Sequence, residues 1–165
     1  MLGVNANESA AVNSITVAKF GGTSVADYHA MLRCAQIIKN DHCNRLVIVS
    51  ASAGVTNNLV RLSHENVSEK ERNGIIADIA RIQFSISKHV NNSALDHEIR
   101  ALLTALEIRA KQQSAHFSLQ NSDEILSFGE QFSSRIFAQV LQAVGVNGHY
   151  FDVRQVMKTD ALYGK

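Results

Sequence analysis

The chain has 165 residues, a formal net charge of +1 and an apolar fraction of 45%. That length suits one domain with a well-buried core, and that composition excludes wholesale disorder. Near-neutral charge without a basic run argues against a nucleic-acid or anionic-membrane surface, and no apolar stretch approaches the roughly 18 residues that span a bilayer.

Two cysteines, Cys34 and Cys43, do not make a disulfide framework and fit a reduced, cytoplasmic compartment. Seven histidines are scattered without metal-ligand spacing, so no metal site built from protein side chains alone is assigned. Residues Met1–Ser14 are polar, lack the basic and apolar segments of a secretory signal, and read as a flexible lead-in.

The first predicted strand is Ile15–Lys19, running into Phe20-Gly21-Gly22-Thr23-Ser24 and then a helix to about Asn40. Strand, glycine pair and helix form a recipe for holding an anion, because the backbone comes close and a helix start offers unpaired N–H groups. Lys19 adds a positive charge there. The pattern is neither a P-loop nor a dinucleotide fingerprint, and a plain tight turn explains it about equally well. Ser24-x-x-Asp27 is the expected capping pair, and Cys34 reads as a packed hydrophobe.

After a turn at Asp41–Asn44, Arg45–Ser50 is apolar without alternation, which suits a parallel strand covered on both faces. The small-residue loop Ser50-Ala51-Ser52-Ala53-Gly54-Val55-Thr56 follows it and feeds a helix containing Leu59 and Leu62. Ligand crevices of open α/β sheets lie at the carboxyl ends of strands, so this loop and Gly21-Gly22 should sit side by side.

Three longer helices are predicted next. Their expected caps are Ser68-x-x-Glu71, Ser93-x-x-Asp96 and Asn121-x-x-Glu124, and their apolar stripes are Ile75/Ile79/Ile82/Ile86, Leu95/Ile99/Leu102/Leu106 and Ile125/Phe128/Phe132/Ile136/Val140. Glu130 falls in the last of them, in Ser127-Phe128-Gly129-Glu130, with Ser127 and Ser134 on its side. From spacing it is either part of a solvated face or a carboxylate that receives a substrate ammonium, with Gly129 permitting close approach. His149-Tyr150-Phe151 is the last strand candidate.

Four motifs in order, Lys19–Ser24, Ser50–Asn57, Ser127–Glu130 and Phe151-Asp152-Val153-Arg154, make the chain from about Ile15 onward resemble the N-terminal part of the aspartate kinases, closest to the lysine-sensitive form. Phe128 stands where that form carries His.

The resemblance implies an α/β fold with a three-layer αβα, open, mainly parallel sheet: the amino-acid kinase fold, N-terminal lobe only, over residues 15–165. It also implies phosphoryl transfer from MgATP to the β-carboxylate of L-aspartate, the first step toward lysine, threonine and methionine. By motif match Lys19, Phe20, Gly21 and Gly22 would hold the ATP phosphates, with Lys19 catalytic. Ser50, Thr56 and Glu130 would hold the aspartate, Glu130 through its α-amino group, and Mg2+ would be held mainly through the ATP phosphates. A carboxylate is already ionised near neutral pH, so catalysis reduces to positioning and charge neutralisation.

A complete aspartate kinase also needs a nucleotide lobe and regulatory domains, so the chain is expected to be an incomplete catalytic unit. Its uncovered sheet edge and apolar face should favour a homo-oligomer. Another amino-acid kinase, a non-catalytic anion- or aspartate-binding lobe, and a structural domain with empty loops are the alternatives.

Overall fold

The computed structural model describes residues 15–41, 45–160 and 162–164. The lead-in and most of the turn at Asp41–Asn44 lie outside these residues. Strand β1 spans Thr16–Phe20 and helix α1 Tyr28–Asn40, with a short 3-10 turn, Gly22–Val25, between them. Strand β2 is Arg45–Val49, and four helices follow: α2 (Val55–Ser63), α3 (Glu69–Ser87), α4 (Ser93–Ala115) and α5 (Leu119–Ala143).

The two strands pair in parallel, Thr16 with Arg45 through Phe20 with Val49, as the strand–helix–strand order predicts. Alternation along them separates two faces. Ala18, Phe20, Val47 and Val49 turn toward the helical core, while Val17, Leu46 and Ile48 remain 61%, 52% and 46% exposed. The expected burial on both faces is therefore not met for β2. Among the described residues the helices cover one side of the sheet, and a third layer is not seen.

Helix α5 is the central post. Ile125, Phe128, Phe132, Ile136 and Val140 are all buried, and α5 packs against α1, α2, α3, α4 and β2. Each such side chain contributes roughly 1.5–3 kcal/mol relative to an exposed one. Phe20 seals β1 to this post, its ring 5.8 Å from that of Phe137. The predicted stripes of α3 and α4 also face inward, with Ile82 and Leu102 only half-buried at their margins. No helix among the described residues is long and apolar enough to cross a membrane.

The caps depart from expectation at three of four places. Ser68 caps α3 as predicted, its side chain accepting from the Glu71 N–H. Helix α1 is capped by Asp27, not Ser24, with the carboxylate accepting from Ala30 N at 2.8 Å. Asn92 replaces Ser93 at α4, accepting from Ala94 and Leu95 N–H, and Ser118 replaces Asn121 at α5.

In each case two cap-competent residues stood close together, and the packing of the helix chose between them. Asn121 is instead buried, donating to Gln113 Oε1 and to the Arg109 carbonyl, each at 3.0 Å. Gln113 in turn donates to the Ser63 carbonyl at 2.7 Å, tying α2 to the α4–α5 turn. The strand candidate at His149–Phe151 forms no strand; Arg135 lies 4.0 Å over the Tyr150 ring instead.

Gln83 is a local conflict in α3. It is fully buried, and neither amide atom has a hydrogen-bond partner among the described residues. An unpaired buried amide costs about 1–3 kcal/mol. Gln83→Met, which keeps the shape and removes the polar atoms, should therefore stabilise the chain by about 1 kcal/mol in urea denaturation. A loss of stability in that variant would show that the amide has a partner in solution.

Candidate functional site

The site is built where β1, β2 and α5 converge. Pairing of the strands continues one residue past β2, with Ser50 N donating to the Phe20 carbonyl at 3.0 Å. That bond places Gly21-Gly22 beside Ser50–Gly54, the adjacency expected from the order of the elements. Gly21 is extended (φ −76°, ψ 172°), and Ser24 N closes the 3-10 turn on its carbonyl at 2.9 Å.

Glycine is required at position 22 for space rather than for backbone freedom. A Cβ on Gly22 would lie 2.9 Å from the Ala51 carbonyl oxygen, closer than real contacts allow. The Lys19 ammonium folds back to 3.8 Å from where a Gly21 Cβ would sit. It has no carboxylate partner among the described residues. Phe20 turns its ring into the core, so its backbone is what faces the loop.

The helix start that can receive an anion differs from the expected one. Asp27 closes α1 with a carboxylate, which disfavours an anion there. Helix α2 has Gly54 at its N-cap, in the left-handed region at φ +83°, with no side-chain cap. Val55 and Asn58 N–H bond back to Ser52 and Gly54, which leaves the N–H groups of Thr56 and Asn57 open among the described residues. The Thr56 side chain is exposed on this first turn.

Glu130 reaches the same place from α5. Its Oε1 accepts from Ala51 N at 3.2 Å, although the residue is exposed overall. It therefore belongs to a loop contact and not simply to a solvated face. Its backbone carbonyl receives the hydroxyls of Ser133 and Ser134. The neighbouring Gly129 makes the reach possible, because a Cβ there would stand 2.6 Å from Ala51 Cβ and 3.2 Å from Leu59 Cδ1. Close approach was expected at Gly129; the group it admits is Ala51.

One turn back, Ser127 accepts from Gln131 Nε2 at 3.1 Å and meets Arg154 Nη1 at 3.5 Å. This brings Phe151–Arg154 against the helix that carries Glu130. The Arg154 guanidinium pairs with Asp152 at 2.6 Å and holds that carboxyl down at about 2, against an ordinary 3.8. Both groups are thus charged throughout the neutral range.

Gly22 and Glu130 meet at Ala51, which follows Ser50 in the chain, and Lys19 rests by the adjoining Gly21; Thr56 stands a turn away at the head of α2. Ala51 and Ser52 fall in the loop and motif picked out in the sequence, but neither is among the expected site residues. Ala51 is 4% exposed and Ser52 1%, and the Ser52 hydroxyl has no partner among the described residues. A groove of about 560 Å³ lies elsewhere, at the α4–α5 turn between Arg109, Lys111, His116 and Glu124, and includes none of these groups.

The amino acid kinase family matches residues 14–163, and the chain belongs to that family. Within it, the chain is similar to lysine-sensitive aspartokinase 3 of Escherichia coli K12, 39% identical over 155 residues that make up 93% of this chain and 34% of that protein. It is also similar to a putative inactive aspartokinase 3 of Haemophilus influenzae, 41% identical over 88 residues, 53% of this chain and 72% of the other.

Among solved structures, E. coli aspartokinase III in complex with aspartate and ADP superposes with a TM-score of 0.88 at 39% identity, over 92% of this chain and 34% of that one. The same enzyme in complex with lysine and aspartate gives 0.87. The amino-acid kinase fold is thereby established for this segment, which spans about a third of the length of the E. coli enzyme.

The contact between Gly129 and Ala51 can be tested by paired substitution. Gly129→Ala should cost about 1–3 kcal/mol through overpacking. Adding Ala51→Gly should recover a large part of that loss, because the 2.6 Å clash is between the two Cβ positions. Additive losses in a double-mutant cycle followed by thermal melting would contradict the contact.

Proposed function

We propose that this chain carries the aspartate-binding and phosphate-binding loops of an aspartokinase, an enzyme that transfers a phosphoryl group from MgATP to the β-carboxylate of L-aspartate. The observation that carries the reading is the convergence on Ala51: Glu130 at its N–H, Gly22 at its carbonyl, and Lys19 over the adjoining glycine. Likeness to a structure holding aspartate and ADP supports the same ligands here.

In this reading Glu130 receives the substrate ammonium, while Ser50 and Thr56 face its β-carboxylate. Lys19 and the open N–H groups of α2 lower the cost of crowding negative oxygens where carboxylate and phosphate meet. ATP supplies the transferred phosphoryl group, and Mg2+ arrives with it, held through the phosphates. No side chain needs to abstract a proton, since the attacking carboxylate is already ionised.

Residues 15–165 form the N-terminal lobe in this proposal, and the third layer of the sheet belongs to the rest of the kinase fold. The buried, free Cys34 thiol suits a reducing, cytoplasmic setting. A second reading, aspartate binding without turnover, is favoured by the likeness to the H. influenzae protein named as putatively inactive.

L-Aspartate at about a hundredfold over its dissociation constant should raise the melting temperature by roughly 5–10 °C, and Glu130→Ala should abolish the shift. No shift at any concentration would sink both readings. Aspartate-dependent ADP release that falls at least about 100-fold in Lys19→Ala would mark the chain as catalytic. Binding without release favours the second reading.

The exposed Val17, Leu46 and Ile48 support self-association of this chain through the sheet face. Light scattering should then give a mass that rises with concentration, and Ile48→Lys should return it to that of a monomer. A constant monomeric mass in the unmodified chain would refute this.

A further inference from the structure

We infer that Ala51 is a positioning residue through which the carboxylate of Glu130 sets the geometry of the phosphate loop; the inference rests on the reading of Glu130 as the ammonium-binding group. Ala51 is confined on three sides. Its N–H donates to Glu130 Oε1 at 3.2 Å. Its Cβ lies 2.6 Å from the position a Gly129 Cβ would take, and its carbonyl oxygen lies 2.9 Å from the corresponding position on Gly22. The residue is 4% exposed, so it has no solvent side into which it can relax. A displacement of its N–H is passed to its carbonyl and so to Gly22, next to the residue over which the Lys19 ammonium rests.

Only one of the two Glu130 carboxylate oxygens bonds to the loop among the described residues: Oε1 accepts from Ala51 N, and Oε2 does not. A ligand ammonium can therefore pair with Oε2 while Oε1 keeps the loop. Charge drawn toward the ammonium and a fixed carboxylate rotamer both alter the bond to Ala51. The amine end of the substrate thereby reports its presence to the phosphate end, without direct contact between them. A ligand lacking the amine fills the carboxylate end and leaves the phosphate loop as it was.

The experiment is backbone NMR on the intact chain, with Glu130→Ala, Glu130→Gln, L-aspartate, and succinate as the aspartate analogue without an amine. In the absence of ligand, Glu130→Ala should speed exchange of the Ala51 N–H about tenfold and shift the Gly22 amide signal. Glu130→Gln should preserve both, because its side-chain oxygen still accepts. Amides remote from the loop, such as that of Ala110, should not move in either variant.

L-Aspartate should shift Gly22 in the unmodified chain and not in Glu130→Gln, while succinate leaves Gly22 still. A Gly22 signal unchanged in Glu130→Ala would overturn the inference. So would L-aspartate shifting Thr56 but not Gly22. If L-aspartate perturbs no amide, the functional reading fails, and the ligand-free comparison of the two Glu130 variants still decides the role of Ala51.

Discussion

The fit of Ala51 between two glycines is the constraint on which the candidate site depends. A backbone N–H and a carbonyl of one small residue are held by α5 on one side and by the Gly21-Gly22 turn on the other. A Cβ at Gly22 or Gly129 would come within 3.0 Å of Ala51 and force these elements to shift apart. The site is therefore organised by close packing of backbone, and its charged side chains, Lys19 and Glu130, are placed as a consequence.

Such packing needs a rigid support, and α5 provides it. Its buried stripe binds it to four other helices and to β2, so Glu130 is carried on a post and not on a loop. The other candidate groups lie on or beside the two strand-following loops. In the proposed reading this division suits a reaction limited by positioning, because Glu130 is carried on a rigid helix while the start of α2 keeps open N–H groups.

Most of the architecture was legible in the chain. Apolar stripes at helical spacing located α3, α4 and α5, and the order strand–glycine pair–helix–strand predicted the parallel pair. The cap positions were less legible, since Ser24 and Asp27, Asn92 and Ser93, and Ser118 and Asn121 are each competent, and local propensity does not choose between neighbours. The strand expected at His149–Phe151 failed for a different reason. Its Tyr150 ring packs under Arg135 instead, and the segment pairs with neither β1 nor β2.

The sequence by itself determined the residue types at the site: a lysine at a strand end, a glycine pair, a small-residue loop and a carboxylate beside a glycine. It determined these because each is set by local backbone chemistry or by charge. Only the tertiary structure decided that Glu130 bonds to Ala51 N, that Gly129 and Gly22 are needed for clearance, and that α2 and not α1 presents the open helix start. Those facts depend on contacts between residues as far apart as Gly22 and Ala51 or Ala51 and Glu130, and a pattern read along the chain contains no distance across it.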